Sequence, residues 1–254
     1  MAKKKMKLKY GNIIALLLIL VSIGFIIHAS YNIIVWYKSN KENSKIKEIL
    51  QESIVIKEVE DTEEKKEEYQ IDFKALKEQN DETVGYVKVY NTNIDYVFVK
   101  HNDNSYYLKH NFEKNWNVAG WIFADFHNKL DGTDRNLVIF GHNTKDGSMF
   151  GTLKNVLNKD WYENEENHKV VLVTESGTQY YQVFSTYSIK PEDYYINTEF
   201  KDNNEFEAFV KEVKSRTIYD YGIEVSGKDK VLTLSSCIGD GQKRVVLHAK
   251  LIEE

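Results

Sequence analysis

Residues 231–251 read VLTLSSCIGDGQKRVVLHAKL. A β-branched and aliphatic run at 231–235 breaks at Ile238-Gly239-Asp240-Gly241, and a second such run opens at Arg244. Two short apolar runs divided by a Gly-containing turn read as neighbouring strands. Upstream the same pattern recurs at 84–89, 94–99, 121–124, 137–140, 170–174 and 180–189, all rich in Val, Ile, Tyr and Phe. Turn formers at 91–93, 131–132 and 176–177 separate many of these runs. With 231–235 and 245–252 this makes many short strands in one stretch, which predicts a mainly β domain, a barrel or a sandwich.

Helices interrupt the pattern in three places. A short one is expected to open at Asp72, with Phe73, Ala75 and Leu76 on it, and another at 149–157. A third is expected around 206–213, where Phe206, Phe209, Val210 and Val213 follow the i, i+3, i+4, i+7 rule and give one buried face. About forty residues separate Ile189 from Val231, more than a plain hairpin needs.

The amino-terminal segment sets the expected organisation. Lys3, Lys4, Lys5, Lys7 and Lys9 precede 11–37, which contains no Asp, Glu, Lys or Arg. A transmembrane helix needs about 20 mostly apolar residues; basic residues favour the cytoplasmic side, and Trp36 and Tyr37 stand where an interfacial anchor would. The expected division is a basic tail over 1–10, a membrane anchor over 11–37, a charged, solvated stalk with a short helix over 38–69, and an extracytoplasmic domain over 70–254. A cleaved signal peptide is the competing reading, against which stand the length of the apolar run and the poor cleavage site at His28-Ala29-Ser30.

A net charge of −5 over 254 residues gives no reason to expect nucleic acid. With one cysteine, neither an intramolecular disulfide nor a multi-cysteine metal site can form. No cofactor is indicated.

Three residues stand out by context. Cys237 ends a strand-like run facing a Gly-containing loop, a rigid and accessible place that suits a nucleophile; an inert buried cysteine is an equal reading from position alone. His142 sits at the end of its own strand, after Phe140 and Gly141. His101, His110, His127 and His168 lie in polar stretches that read as solvated surface, and His248, alternating within a strand, reads as structural. Arg244 opens the last strand in a chain that otherwise uses Lys, Arg135 and Arg216 being the other two arginines. Its planar fork of donors suits an oxygen that becomes negative during attack, while a surface pair with Asp240 explains it equally well. Asp125, at the end of a strand, is a candidate to orient the histidine.

The stretch Thr233-Leu234-Ser235-Ser236-Cys237 with an Arg opening the next strand resembles the sortase signature, and Phe140-Gly141-His142-Asn143 resembles its histidine segment. Residues 141–150, together with Asn93-Ile94-Asp95-Tyr96, Asn104-Ser105-Tyr106-Tyr107-Leu108 and Asn111-Phe112, look like the class B form. The resemblance covers 71–254 and implies a closed eight-stranded barrel with amino-terminal helices and a helix in the long connection before the last two strands. It implies a cysteine transpeptidase with Cys237 as nucleophile, His142 as proton shuttle and Arg244 as oxyanion stabiliser. The implied partners are secreted proteins bearing a carboxyl-terminal sorting motif, cleaved after Thr to a thioacyl enzyme, and an amine of a peptidoglycan precursor. Carried over for substrate contact are Asn104, Leu108, Phe140, Tyr195, Ile196 and Ser235; no calcium site is required. Phe140 stands where the family commonly has Tyr. A peptidoglycan transpeptidase of another class would place its His and Cys in one short motif, whereas here 95 residues separate His142 from Cys237. A tethered binding module without catalysis is the remaining alternative.

Overall fold

The computed structural model describes residues 10–61, 64–238 and 243–253, with the backbone alone at 57–61, 64–68, 237–238 and 253. The basic cluster within 1–9 and the loop at 239–242, Asp240 included, lie outside the described residues.

The chain opens with one long helix, α1 (Tyr10–Gln51), followed by a hairpin of β1 (Ile54–Asp61) and β2 (Glu64–Ile71) and by α2 (Phe73–Gln79). Asp72 caps α2 through a 2.9 Å bond from the Ala75 amide, as a short side chain at a helix start does. Eight strands then form a closed barrel: β3 (Thr83–Val89), β4 (Asp95–Val99), β5 (Phe123–Ala124), β6 (Asn136–Asn143), β7 (Lys169–Thr174), β8 (Gly177–Ile189), β9 (Val231–Ile238) and β10 (Arg244–Glu253). Their order around the barrel is β10-β8-β7-β3-β4-β5-β6-β9, and closure pairs every strand on both sides. The β4–β5 and β6–β9 pairs are parallel and the others antiparallel.

Period-two alternation sorts the side chains of β9 and β10 between two cores. Leu232 and Leu234 of β9 and Val245, Leu247 and Ala249 of β10 face the main core. Val231 and Val246 face the other way, into a second core with Phe184 and Tyr187 of β8. That second core is closed by α4 (Asn203–Ser215), whose Phe206, Phe209, Val210 and Val213 are its buried face, as their spacing predicts. Asp202 caps α4 by accepting from the Asn204 and Glu205 amides.

Three expectations need correction. Residues 149–157 are not an α-helix: Met149 takes φ 49° after Gly147 at φ 80°, and a 3-10 turn at Leu153–Leu157 leads into the five-residue α3 (Lys159–Glu163). A Cβ on Gly151 would overlap the Thr144 and Ser148 carbonyls, so glycine is what fits this turn. Residues 39–50 are not a solvated stalk but the last turns of α1, docked on the barrel. Ser39 with Asn40, then Asn43, Ile46 and Leu50, recur every three or four residues and are buried, the last two in the main core. His168, finally, is buried and not at the surface, its Nε2 2.8 Å from the Tyr162 carbonyl, and burial lowers its pKa.

Candidate active site

The parallel pairing of β6 with β9 sets His142 opposite Cys237, and the antiparallel pairing of β9 with β10 sets Arg244 opposite the same cysteine. Three residues far apart in sequence therefore stand abreast on three adjacent strands, each about 4.8 Å from the next. The row lies at the barrel rim. β6 and β9 each continue one residue further, and β10 begins at Arg244. One step inward, Phe140, Ser235 and Val246 form the next row of the same alternation, so the rim row stands above a buried floor.

The rim histidine is held from three sides. Gly141 lets the barrel end close beneath it, since a Cβ there would come within 2.6 Å of Ile122 Cδ1 and 2.7 Å of Phe150 Cγ. The His142 carbonyl accepts from the Phe150 amide at 2.9 Å. The ring Nε2 lies 2.7 Å from the Leu108 carbonyl oxygen. A carbonyl can only accept, so Nε2 carries the proton and Nδ1 is the nitrogen left to take or release one. Gly120 lies against the ring in the left-handed region, φ 59°, where a Cβ would stand 3.0 Å from His142 Cδ2 and overlap the Tyr107 carbonyl oxygen. The helical turn Tyr106–Leu108 and the segment around Gly120 thus form a cradle for the imidazole.

Asp125 does not orient this histidine. One of its oxygens accepts from Asn104 Nδ2 at 2.7 Å, and the other from the amide and Nδ1 of His127. The orienting group is the Leu108 backbone carbonyl, which a sequence cannot single out because every residue carries one. Gly120, before Trp121, and Asn117 and Asn43, which bind its segment to α1, are further residues that the sequence reading does not single out; an isolated Gly before a strand is the one signal it offers.

The expected substrate-contact residues divide into two groups. Asn104, Leu108 and Ile196 are half-buried. Phe140, Tyr195 and Ser235 are buried, with the Phe140 ring 5.3 Å from that of Phe123 and the Tyr195 and Ser235 hydroxyls 2.9 Å apart. Asn136 ties the connection beside them to β6 by donating to the Asn197 carbonyl at 2.9 Å. Arg244 is half-buried. His248 is structural, as expected: fully buried, it lies 2.8 Å from both the Tyr187 and Thr233 hydroxyls. Among the described residues no cluster of His, Cys, Asp and Glu could hold a metal ion.

The family model described as "Sortase domain" matches residues 87–252, the span that builds nearly the whole barrel. Sortase B of Listeria monocytogenes is 37% identical over 188 residues, 71% of this chain and 74% of that protein. Sortase B of Staphylococcus aureus is 32% identical over 185 residues, 71% of this chain and 75% of that protein. Among solved structures, sortase B from Bacillus anthracis in complex with AAEK1 superposes with a TM-score of 0.74 at 30% identity, covering 86% of this chain and all of that one. The Clostridium perfringens sortase B structure gives 0.67 at 34% identity over 71% of this chain and all of the other. The eight-stranded barrel order, the matched span and this level of identity agree, and the chain belongs to the sortase family as a class B member, a cysteine transpeptidase.

Proposed function

We propose that this chain is a membrane-anchored transpeptidase that cuts the carboxyl-terminal sorting signal of secreted proteins and joins them to an amine of a peptidoglycan precursor. Class B membership already supports an enzyme that anchors proteins to the cell wall. The observation that carries the finer reading is the cross-strand row of His142, Cys237 and Arg244 at the barrel rim.

In the proposed mechanism the Cys237 thiolate bonds to the carbonyl carbon of the scissile peptide, and the carbonyl oxygen takes up the negative charge beside the Arg244 guanidinium. The C–N bond then breaks, and the leaving amine takes a proton from Nδ1 of the His142 imidazolium, giving a thioester and a neutral ring. In the second half the acceptor amine returns a proton to Nδ1 as its nitrogen bonds to the thioester carbon and the thiolate departs. His142 serves both halves in one orientation because Leu108 retains Nε2–H throughout. Asn104, Leu108 and Ile196 contact the sorting peptide in this reading, with Phe140, Tyr195 and Ser235 forming the floor on which it lies. The part of α1 over 11–37 is the anchor, the basic tail is cytoplasmic and the barrel is outside; α1 is long and apolar enough to cross a membrane.

The test is intact-mass spectrometry of the protein mixed with a library of sorting peptides. An acyl adduct that maps to Cys237 and vanishes in Cys237→Ala is the expected result. An adduct that survives that substitution, or maps to another residue, refutes the assignment.

A further inference from the structure

A tongue of chain over 109–118 carries two exposed apolar residues that the chemistry does not use, Trp116 at 59% and Val118 at 38% exposure. The tongue is stiff. Lys109 O accepts from the Asn117 amide at 2.8 Å, Asn115 O accepts from the Asn111 amide at 2.9 Å, and His110 is bridged to Trp116. Between the two exposed residues, fully buried Asn117 is bolted to α1: its Nδ2 donates to the Ser39 carbonyl at 3.0 Å and to Asn43 Oδ1 at 2.9 Å.

That attachment sets the height of the tongue. The uncharged stretch of α1 runs from Gly11 to Tyr37, and a hydrocarbon core about 30 Å thick takes up about 20 residues of helix. Trp36 and Tyr37 then fall at the outer interface, where aromatic residues gather. Ser39 is three residues beyond Trp36, about 4.5 Å along a helix that rises 1.5 Å per residue. The folded domain already shields the helix at this level: Val35 is half-buried and Trp36 is 37% exposed, against 64% and 65% for Ile33 and Ile34. Lys38, Lys41 and Lys109 are exposed on the same two segments and suit anionic headgroups; the acidic groups there are Glu42, which accepts from Asn117 Nδ2 at 3.3 Å, and exposed Glu113.

We infer that Trp116 and Val118 are a second membrane contact, seated in the headgroup layer beside α1. This rests on the reading of α1 as the membrane anchor. The occupant is a lipid surface, because the patch continues an apolar helix at interfacial depth and pairs an aromatic ring with lysines. The consequence reaches the active site. Asn43, about 10 Å along the helix from Trp36, donates to the Gly120 carbonyl at 3.0 Å, and Gly120 lies against the His142 ring. The catalytic rim is thereby held low over the bilayer.

The experiment uses the full chain in vesicles of phosphatidylcholine and phosphatidylglycerol, with acyl chains either unmodified or brominated near the headgroup end. Trp121 and Trp161 are buried and form a constant background, so Trp36→Phe reports Trp116 and Trp116→Phe reports Trp36. Both variants are expected to lose emission in brominated vesicles, and the double variant to lose none. Quenching of Trp36 without quenching of Trp116 overturns the inference while leaving α1 as an anchor. Absence of quenching in both overturns the anchor reading and the inference together.

Discussion

Replacing Gly120 with Ala perturbs the His142 cradle through a single methyl group. The added Cβ would stand 3.0 Å from His142 Cδ2 and 3.1 Å from the Leu108 carbonyl carbon, and would overlap the Tyr107 carbonyl oxygen. Carbon atoms settle at about 3.5 to 4.0 Å, so the ring or its cradle must retreat by about 0.5 to 1 Å. The Tyr107 oxygen is itself held by the Trp121 amide at 2.9 Å and does not yield freely. A displacement of that size at a reacting group costs up to about 100-fold in rate, equivalent to about 2.7 kcal/mol of transition-state stabilisation. The left-handed backbone adds a stability cost of about 1 to 2 kcal/mol for any L side chain. Gly132 separates the two effects, since it has φ 81° but nothing within 4 Å of its added Cβ. Gly132→Ala should carry the backbone cost alone and keep full activity. The assay pairs urea unfolding with kcat/KM on a fluorogenic sorting peptide for both variants. Gly120→Ala that folds and turns over like wild type would show that the close approach to the imidazole is irrelevant to catalysis.

Three further outcomes are expected. Arg244→Lys keeps the charge but not the fork, so it should fold normally and lose about 100-fold in kcat, the usual cost of one oxyanion donor; a wild-type rate removes Arg244 from the mechanism. Burial, with Arg216 adding to it, pushes His248 down to about 3. The unfolded chain therefore binds the extra proton, and the contribution of this residue is full above its unfolded pKa and falls away as pH drops toward 3. At up to about 1.4 kcal/mol per pH unit, denaturant titration should find wild type losing about 2 kcal/mol more between pH 6.5 and 4.5 than His248→Phe, and parallel profiles would refute this. Leu50→Ala should cost about 2 to 5 kcal/mol of barrel stability, because Leu50 is in the main core; an unchanged urea midpoint would return this end of α1 to the role of a free stalk.

The strands are legible in the amino-acid sequence because alternation is a local signal. Val231, Leu232, Thr233 and Leu234 read as a strand wherever they are placed, and the spacing of Phe206, Phe209, Val210 and Val213 specifies a helix with one buried face. The Asp72 cap and the rarity of Arg are local signals too. The helix expected at 149–157 does not form as such because Gly147 and Met149 take left-handed backbone, and apolar spacing alone does not report a left-handed Met. His168 reads as surface because its cover comes from the aromatic rings of Trp161, Tyr162 and Tyr221. The docked end of α1 is hidden by its composition: Ser39, Asn40 and Asn43 look solvated until Asn117, more than seventy residues away, takes up polar groups of Ser39 and Asn43.

Sequence alone determined which residue types were available for chemistry: one thiol, a histidine after Gly141 and an arginine opening the last strand. Tertiary structure decided that they share a row. A shift of one residue between β6 and β9 would turn His142 to the opposite face from Cys237, and that register is set by the packing of the whole barrel. Tertiary structure also chose the Leu108 carbonyl as the partner of the imidazole, since a backbone oxygen is chemically the same at every position and acquires a role only from its place in space.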